Sequence, residues 1–561
     1  ELGLTVPSLA SLRGTKSRSN LHLPIDSRYF TQEFKEKLLE KLTQNADLDD
    51  LLDGLLIKSE NYQALNLLLG KYKGKVQTIY IDPPFNLGTN ANFLYNVNYK
   101  DSSWISILEN RLRLARYLLG DRGSIFVRCD YNGNMYVRLL LNEVFGEENF
   151  TNELVVNRIS KKGFAVRETF LPNKYPVSSD TVYFWAKSGS ATFNLVKIYK
   201  KANKEKWHAL DVMDVNPEMP KPRIILGKEM LAQSGRKWMF SQEKIYEMEK
   251  QGLIKLNARG KPVYKVKSQD YEALDSNWTD VPGYSSGWDF KTENSEILLN
   301  RVIESTSNEG DLVMDFFLGS STTTAVAHKL KRKWIGVELG EHFWTVVLPR
   351  MEKVLAYDKS GISKEKDIKE IYNENTAGGF FKYQILEQYE DTLDNIELTS
   401  NKQAELKFGD DYLLKYFLDY ETRESPHLLN IDQLKTPFCY KLKVNLEEVG
   451  EPQEMVMDIP ETFNYLLGLK VKKVKTRNNQ GKYLFILGEK AGKNMAIVWR
   501  DYEDKWTEDD FKEDKEFIIK ELEPWAPHIV YVNGQSVLTP KLGDLTVEIR
   551  HIEPEFKKLM S

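Results

Sequence analysis

Two apolar runs that each end at a loop constrain the fold of this 561-residue chain more than any other feature of its sequence. Val76–Ile81 is rich in β-branched residues and stops at Asp82-Pro83-Pro84, where two prolines cannot continue a hydrogen-bonded ladder. Asp311–Asp315 stops at a loop of small residues that precedes a helical pattern. Short continuous apolar runs of this kind are typical of buried parallel strands. We therefore predict an α/β fold whose ligands bind at the ends of strands.

Helical periodicity alternates with strand patterns in two separate parts of the chain. This alternation predicts βαβ units and a Rossmann-like, doubly wound sheet. It is lost between Arg158 and Asp270, so we expect one α/β domain that is split by an α+β insert. The further predicted elements are helices at Trp104–Leu119, Asn134–Phe145, Glu296–Ser305, Thr323–Leu330 and Phe343–Leu355, and strands at Ser124–Val127 and Trp334–Glu338.

Shifts in composition and periodicity divide the chain into five predicted regions. At ~100–200 residues per domain, the length allows three or four domains. The regions are a polar, partly helical N-terminal arm at 1–53, a first α/β half at 54–157, a basic insert at 158–270, a second α/β half at 271–360, and a highly charged α+β region at 361–561.

The insert differs from the rest of the chain in charge. Residues 158–270 hold 23 lysines and arginines and 11 aspartates and glutamates, a net charge of +12. The whole chain carries −4, so the other 448 residues carry −16. A basic module inside an acidic chain is typical of phosphate binding and indicates a nucleic-acid partner. Aromatic side chains that could contact bases or sugars accompany the charge, namely Phe164, Tyr175, Trp185, Trp207 and Trp238.

The composition disfavours several other function classes. Two cysteines, Cys129 and Cys439, cannot form a disulfide framework, so we expect a reducing cytoplasm. The seven histidines are scattered and none stands at ligand spacing from a cysteine, so we expect no metal site. No apolar run approaches the ~20 residues of a membrane span, so we expect no membrane association.

The first loop, Asp82-Pro83-Pro84-Phe85, has residue types that suit an amine nucleophile. The lone pair of a nucleobase amine is delocalised into the ring, so the amine needs acceptors such as the Asp82 carboxylate and the Pro83 carbonyl. Proline stiffens the turn and removes a competing N–H donor. Phe85 offers a flat face on which a base can stack, worth about 1–3 kcal/mol per base. Taken alone the motif is more often a simple turn, and the partner loop shifts the interpretation towards catalysis.

The second loop, Asp315–Thr323, joins a strand to a helix. Its small residues, Gly319 above all, let the backbone approach a ligand at the helix N-terminus, where N–H groups are free. Glu338 stands nineteen positions after Gly319, a spacing that suits hydrogen bonds to ribose hydroxyls. The absence of GxGxxG and of a Walker lysine disfavours a dinucleotide oxidoreductase and a triphosphate site, and leaves an adenosine with a carboxylate-bearing tail. A plain helix cap is the structural alternative.

Taken together, Asp82–Phe85 (DPPF) and Asp315–Thr323 (DFFLGSSTT) resemble the S-adenosylmethionine-dependent amino-methyltransferases of DNA. A catalytic loop that precedes the cofactor loop, with a long insert between them, is similar to the β class, whose insert is the target recognition domain. The resemblance covers about residues 54–356. The size, the extended C-terminal region and Phe290–Glu296 (FKTENSE) further resemble the modification (Mod) subunits of Type III restriction-modification systems.

The resemblance also implies roles for individual residues. Phe85 stands where Tyr is commoner and keeps the stacking face. Ser321 stands where Gly is usual, so we expect the backbone to avoid a positive φ there. The implied catalytic residues are Asp82, Pro83, Pro84 and Phe85, and the implied cofactor-binding residues are Lys291, Thr292, Glu293, Asn294, Asp315, Phe317, Gly319, Ser320, Thr322 and Glu338.

The activity implied by the resemblance is methyl transfer from S-adenosylmethionine to adenine N6 in double-stranded DNA. The target base would leave the duplex, and in-line displacement would need no metal. An Asp in the catalytic loop favours adenine N6. Cytosine N4 stays open as an alternative, as does a DNA-recognition subunit with little methylation activity that serves a partner nuclease. A homodimer and a restriction/helicase partner subunit are also implied.

Overall fold

The structure is a computed structural model, and it describes most of the chain. Residues 1–23 of the predicted N-terminal arm, and Phe164 of the insert, lie outside the described residues. The described residues are 24–86, 99–158, 175, 177–199, 206–213, 221–266, 271–388, 391, 395, 429–445, 451–503 and 505–560.

The first α/β half alternates strands and helices as the sequence predicts. Its elements in chain order are α1 (Gln32–Leu42), α2 (Leu48–Leu51), β1 (Gly54–Lys58), α3 (Asn61–Tyr72), β2 (Val76–Ile81), α4 (Asp101–Leu118), β3 (Leu119–Cys129), α5 (Asn134–Phe145), β4 (Phe150–Asn157) and β5 (Ser179–Ala186). The bounds of β2 and α5 are those predicted. β2 is buried almost throughout, and α5 buries one apolar face through Val137, Leu141 and Val144. Gly146 ends α5 with a φ of 92°, which suits a residue without a Cβ.

Leu195–Asp275 forms a separate compact unit of the α+β type. Leu210, Ile225, Ile245 and Ile254 form its small core. Within this unit, Trp238 packs against the core, and the Lys255 ammonium lies 3.9 Å from the centre of the Trp207 ring. Its elements are β6 (Lys197–Tyr199), β7 (Lys206–Ala209), β8 (Asp211–Met213), β9 (Arg223–Ile225), β10 (Lys228–Met230), β11 (Arg236–Trp238), α6 (Gln242–Lys250), β12 (Ile254–Leu256), β13 (Pro262–Val266) and β14 (Tyr271–Ala273).

After this unit the strand–helix alternation resumes. The predicted helices and strands of this half are present, with ends that differ by one residue or two, and a π-helical turn, Phe343–Val347, leads into the helix that follows β17. The elements are β15 (Asn277–Pro282), α7 (Glu296–Thr306), β16 (Leu312–Asp315), α8 (Thr322–Lys329), β17 (Lys333–Glu338), α9 (Leu348–Leu355), α10 (Lys366–Ile371) and β18 (Phe381–Ile385).

Both α/β halves contribute to one large sheet, which among the described residues has nine strands. The order is β15-β4-β5-β3-β2-β16-β17-β1-β18, and only β5 runs antiparallel to its neighbours. Successive side chains of β2 point to opposite faces. Ile79 and Ile81 lie in the core formed with α3, α4 and α5, whereas Thr78 hydrogen-bonds to Thr306 of α7, with 2.9 Å between the two hydroxyl oxygens. The prediction of a Rossmann-like, doubly wound sheet is confirmed.

Part of the predicted insert belongs to this large sheet. β5 pairs with β3 and β4, and its Trp185 is fully buried against Phe150 and Tyr183. Trp185 is therefore a core residue, since strand pairing outweighs the local loss of alternation. The compact unit begins at Leu195, and Leu195–Asp275 holds 17 lysines and arginines and 11 aspartates and glutamates, a net charge of +6.

The C-terminal region builds a second sheet, in the order β21-β22-β23-β24-β27. Phe463 and Phe556 cover one face of it, and Ile518 and Leu522 cover the other. This sheet belongs to the same compact unit as the large one. Its elements are β19 (Lys441–Val444), β20 (Gln453–Val456), α11 (Ile459–Leu467), β21 (Lys470–Asn478), β22 (Lys482–Lys490), β23 (Lys493–Arg500), α12 (Glu508–Leu522), β24 (Ile529–Val532), β25 (Lys541–Leu542), β26 (Leu545–Thr546), β27 (Glu548–His551) and α13 (Ile552–Met560).

The C-terminal region is connected to the large sheet in two ways. β18 pairs in parallel with β1 and forms an edge of the large sheet, although it lies within the predicted region 361–561. α11 packs against α3, and Glu461 of α11 forms an ion pair with Lys382 of β18. In the part of the chain that the structure describes, no helix is long and apolar enough to cross a membrane.

Candidate active site

The two predicted loops lie at the point where the strand order of the large sheet reverses. β2 and β16 are parallel neighbours at the centre of the sheet. From β2 the chain continues to β3 on one side, and from β16 it continues to β17 on the other. In open α/β sheets, ligands bind in the crevice outside the carboxyl ends of the strands at such a switch point. The loops after β2 and β16 are therefore the ones that can share a ligand.

A single cleft at this switch point contains most of the predicted site residues. It also contains five residues that the sequence did not predict as site residues. The lining residues are Asp82, Pro83, Pro84, Phe85, Arg158, Tyr284, Phe290, Lys291, Thr292, Asn294, Phe317, Leu318, Gly319, Ser320, Glu338 and His342.

The catalytic loop is anchored at its far end by α4. The Trp104 indole N–H donates to the Pro84 carbonyl at 2.8 Å, and the Asn86 amide donates to Asp101 at 2.8 Å. Asp82 is half-buried at the start of the loop, and its Oδ2 accepts a hydrogen bond of 2.9 Å from Asn294 Nδ2. Burial raises the pKa of Asp82 to about 6, although the Arg128 charge and the Asn294 hydrogen bond oppose this rise. Asp82 is therefore mostly ionised at neutral pH and can accept hydrogen bonds.

The cofactor loop is tied to Glu338, the acidic residue at the end of β17. Glu338 Oε2 accepts from the Gly319 N–H at 2.7 Å, and Oε1 accepts from the Gly340 N–H at 2.9 Å. These two bonds hold the carboxylate at the edge of the cleft. Gly319 has a φ of 54°, and an added Cβ would meet the Phe290 ring at 3.4 Å. Glycine therefore suits this position by conformation, whereas the added Cβ would make only an ordinary contact with the ring.

The expectation for the backbone at Ser321 was wrong. Ser321 adopts the left-handed conformation, with a φ of 66° and a ψ of 25°. Ser321 ends a turn in which its N–H donates back to the Leu318 carbonyl at 3.0 Å, and α8 begins at the next residue. The buried Ser321 hydroxyl also pairs with Thr324 Oγ1 at 2.5 Å. The surrounding contacts hold the strained residue in place, and the loop keeps the shape that glycine would give it.

Three of the predicted cofactor-binding residues support the cleft without lining it. Asp315 is buried and accepts from the Phe317 N–H at 3.0 Å and from Thr323 Oγ1 at 2.5 Å. Burial raises the pKa of the Asp315 carboxyl to about 7. Glu293 is buried and accepts from the Gly287 N–H at 2.7 Å, so it shapes the segment before Lys291.

The third supporting residue, Thr322, is held by a buried arginine of α9. Arg350 Nη1 donates to Thr322 Oγ1 at 3.0 Å and to the Ser320 carbonyl at 3.0 Å. The same guanidinium forms an ion pair of 3.0 Å with Glu293. Arg350 thus connects the cofactor loop to the 291–294 segment, and no local sequence pattern indicated this contact.

Five lining residues were not predicted as site residues. Arg158 entered the sequence argument only as a charge, and Phe290 only as the start of a motif. His342 is the most informative of them because it is buried and faces the cleft one helical turn after Glu338. Among the described residues neither of its ring nitrogens makes a hydrogen bond, although Nε2 lies 3.4 Å from Glu338 Oε1. Its spacing from Glu338 was the available signal. The other two are Tyr284 and Leu318.

The described residues also address the possibility of metal chemistry. Among them, no group of three or more histidine, cysteine, aspartate or glutamate side chains is placed to hold a metal ion. Cys129 is buried at the end of β3, and burial raises the pKa of its thiol. The groups of this cleft that can contact a ligand include carboxylates, backbone groups, an imidazole and aromatic rings.

Comparison with known proteins shows that this chain is similar to DNA methylases. Residues 76–348 match the family model described as DNA methylase, a range that starts at β2 and extends past Glu338 into α9. The chain is thus similar to S-adenosylmethionine-dependent DNA methyltransferases, and among these it resembles Mod subunits. The probable Type III restriction-modification enzyme HindVI Mod subunit of Haemophilus influenzae is 27% identical over 451 residues, which are 66% of this chain and 58% of that protein.

Two further relatives match shorter stretches. The Type II methyltransferase M.EcaI of Enterobacter cloacae is 28% identical over 318 residues, which cover 51% of this chain and 67% of that protein. The DNA adenine methyltransferase YhdJ of Escherichia coli is 36% identical over 103 residues, covering 16% of this chain and 34% of that protein. The chain spans 58% of the length of the HindVI Mod relative.

Proposed function

We propose that this chain is a DNA methyltransferase that transfers a methyl group from S-adenosylmethionine to the N6 amine of adenine. The observation that carries the proposal is that Asp82, Phe85, Gly319 and Glu338 all border one cleft at the switch point of the sheet. An acceptor for an amine and an acidic residue suited to ribose therefore face the same space. The match to DNA methylases supports the assignment.

The residues of the cleft fit an adenosine that carries an amino-acid tail. We assign Glu338 to the ribose hydroxyls, and His342 lines the same cleft with two ring nitrogens that make no hydrogen bond among the described residues. Phe290 and Leu318 supply apolar surface, and the N-terminus of α8 supplies positive potential. When bound, S-adenosylmethionine supplies an electrophilic methyl group on its sulfonium. Because Gly319 and Ser320 line the cleft, their backbone can approach such a ligand closely.

The catalytic loop would receive the target base. Asp82, with a pKa of about 6, accepts a hydrogen bond from the exocyclic amine and orients its lone pair away from the ring plane. Phe85 provides the stacking face, and the anchored Pro84 carbonyl keeps the loop stiff. A base inside a duplex cannot reach this loop, so the base must flip out of the helix. Positioning of the amine supplies most of the rate enhancement in this scheme.

We further propose that Leu195–Asp275, together with the flanking residues of the predicted 158–270 insert, recognises double-stranded DNA. Its net charge of +6 suits the phosphate backbone, and salt-dependent binding is the expected signature. We also propose assembly as a homodimer and with a restriction/helicase subunit, and the similarity to the Mod subunit of a Type III restriction-modification enzyme supports the second of these. The region 361–561 is the proposed site of subunit contact.

Two alternatives remain distinct outcomes of experiment. Cytosine N4 carries the same kind of exocyclic amine and could be presented to the same loop. A recognition subunit with little methylation activity would bind DNA and serve a partner nuclease. The described cleft favours an active enzyme, because all four predicted catalytic residues line it.

The test is transfer of radiolabelled methyl groups to DNA, followed by nucleoside analysis. Label in N6-methyladenine is expected, and label in N4-methylcytosine would favour the alternative base. Tight DNA binding without label would favour the recognition subunit. Asp82→Ala is expected to abolish transfer while DNA binding is kept, and full activity in this variant would refute the catalytic assignment. Sequencing of methylated genomic positions in a host that expresses the chain would identify the target sequence.

A further inference from the structure

We propose that Asn294 is a positioning residue that orients the Asp82 carboxylate, and that the buried Arg128–Asp180 ion pair holds Asn294 in place. The sequence assigned Asn294 to cofactor binding, and Arg128 and Asp180 to no role at all. The inference rests on the proposed methyl transfer, since it concerns how the acceptor for the target amine is held.

The amide of Asn294 has donors on one side and a carboxylate on the other. Its Oδ1 accepts from Arg128 Nη1 at 2.7 Å and from the Tyr80 hydroxyl at 3.0 Å. Its Nδ2 donates to Asp82 Oδ2 at 2.9 Å. An arginine has no acceptor, so the amide oxygen must face Arg128 and the NH₂ group must face Asp82. The orientation of the amide follows from its partners.

Arg128 is itself held by several partners. It is fully buried on β3, and its Nη2 lies 2.7 Å from Oδ2 of the equally buried Asp180 on β5. Nη1 also donates to the Gly283 carbonyl at 2.9 Å, and the guanidinium lies 4.0 Å from the centre of the Tyr284 ring. Because Nη1 and Nη2 of one planar group reach different partners, the guanidinium has little freedom to rotate. Three strands of the large sheet, β2, β3 and β5, therefore determine where Asn294 points.

This arrangement is better explained by geometry than by stability. Burying an ion pair costs several kcal/mol of hydration per ion, and apolar residues of similar volume often stabilise a core equally well. Arg128 contacts Asn294, and Asn294 contacts Asp82. The ion pair is therefore best explained as fixing the position of the groups that hold the Asp82 carboxylate. The backbone carbonyl of Asn294 also accepts a hydrogen bond of 3.2 Å from Thr322 Oγ1, so the same residue contacts the cofactor loop. Asn294 thus joins the two loops between which the methyl group must pass.

The charged surroundings of Asp82 make the role of Asn294 measurable. The Asn294 hydrogen bond lowers the pKa of Asp82 against the effect of burial. Removing that donor should raise the pKa, so that Asp82 loses its charge at a higher pH. The other titratable groups around Asp82 are Arg128 and Cys129 on β3, Asp180 on β5, Arg158 after β4, Tyr80 on β2, Tyr284 after β15 and Asp315 on β16.

The test compares the pH dependence of methyl transfer in wild type, Asn294→Asp and Asn294→Ala. Asn294→Asp keeps the shape and the contact with Arg128 but faces Asp82 with a second carboxylate, so the pair should titrate as a unit. We expect the acid limb of kcat to move up by about one pH unit or more in both variants, a loss of about fivefold or more at pH 6. Cofactor affinity should change by less than about threefold. Asn375→Asp adds the same charge at an exposed position outside the cleft and should leave the profile unchanged.

The outcomes separate this inference from the function on which it rests. If wild type transfers methyl groups and both Asn294 variants keep the wild-type acid limb, the positioning role is refuted. A fall in cofactor affinity with an unchanged acid limb would return Asn294 to cofactor binding. If wild type transfers nothing to DNA, the proposed function fails, and the inference falls with it. Melting curves confirm that each variant is folded. Arg128→Lys keeps the charge but loses the planar group whose two arms reach Asn294 and Asp180, so it should shift the profile in the same direction.

Discussion

Replacing Asp82 by asparagine is expected to abolish methyl transfer and at the same time to stabilise the fold. The cleft raises the pKa of Asp82 to about 6 from an ordinary value of 3.8, chiefly through burial. A raised carboxyl pKa means that the folded state disfavours the charge. The asparagine side chain carries no charge and still offers Asn294 a carbonyl acceptor. Its NH₂ group, however, is a donor where the target amine needs an acceptor.

The size of the stabilisation follows from the shift in pKa. A rise of about two pKa units corresponds to about 3 kcal/mol between the two protonation states, and the partial exposure of Asp82 reduces the effect to about 1–3 kcal/mol. Between pH 3.8 and about 6 the folded state binds more protons than the unfolded state, so this group makes stability fall as the pH rises. Asp82→Asn should therefore gain little at pH 4 and should gain its full advantage above pH 6.

Urea unfolding at pH 4, 6 and 8 measures this difference, with methyl transfer assayed on the same samples. Asp280→Asn is a control of opposite sign, because its hydrogen bonds to Arg301, of 2.8 and 2.6 Å, lower the pKa of Asp280. The stability from that pair is present above pH 3.8 and is lost as the pH falls, so this control should weaken the fold most at pH 8. If Asp82→Asn is no more stable than wild type at pH 8, or if its advantage does not depend on pH, the reasoning is refuted.

Three further predictions concern residues that support the cleft. Ser321→Gly should be more stable than Ser321→Ala by about 1 kcal/mol in thermal unfolding, because both lose the hydroxyl but only glycine adopts a positive φ without strain; equal stability would contradict this. His342→Phe should weaken S-adenosylmethionine binding about tenfold by calorimetry, because His342 lines the cleft and phenylalanine lacks its two ring nitrogens, which make no hydrogen bond among the described residues. Unchanged affinity would exclude His342 as a ligand contact. Lys329→Met should destabilise the fold by about 3 kcal/mol in urea, because Glu296 and Asp358, both 2.9 Å from the ammonium, would lose a buried cation and keep only their ion pairs with Arg350 and Lys353. A loss below about 1 kcal/mol would show that these carboxylates take up protons or water instead.

The sequence predicted the two α/β halves closely because their signals are local. A run such as Val76–Ile81 is β-branched or aromatic at every position except Gln77, a composition that suits a strand buried on both faces of a sheet. Asn134–Phe145 repeats its apolar positions with a helical period and meets Gly146 at its end. In such segments side-chain pattern, turn chemistry and burial agree, so tertiary contacts had nothing to override.

The sequence was less informative where long-range pairing decides the outcome. Ser179–Ala186 lies in a stretch without alternation, yet it inserts between β3 and β4 and moves the start of the compact unit to Leu195. Ser321 takes a left-handed conformation between the turn that starts at Leu318 and the first residue of α8, where its buried hydroxyl pairs with Thr324. No propensity scale contains such information, since the energy that holds the strain comes from neighbours in space.

The candidate site divides in the same way. Asp82, Phe85, Gly319 and Glu338 were predictable because their chemistry is written into short motifs at the ends of strands. The contacts of Asn294 with Asp82 and of Arg128 with Asp180 join residues that are 212 and 52 positions apart, and no spacing rule connects them. The sequence by itself therefore determined the class of fold and the residue types that meet a target amine and a ribose. Only the tertiary structure decided how those residues are held, because orientation at a buried carboxylate depends on hydrogen bonds from other strands.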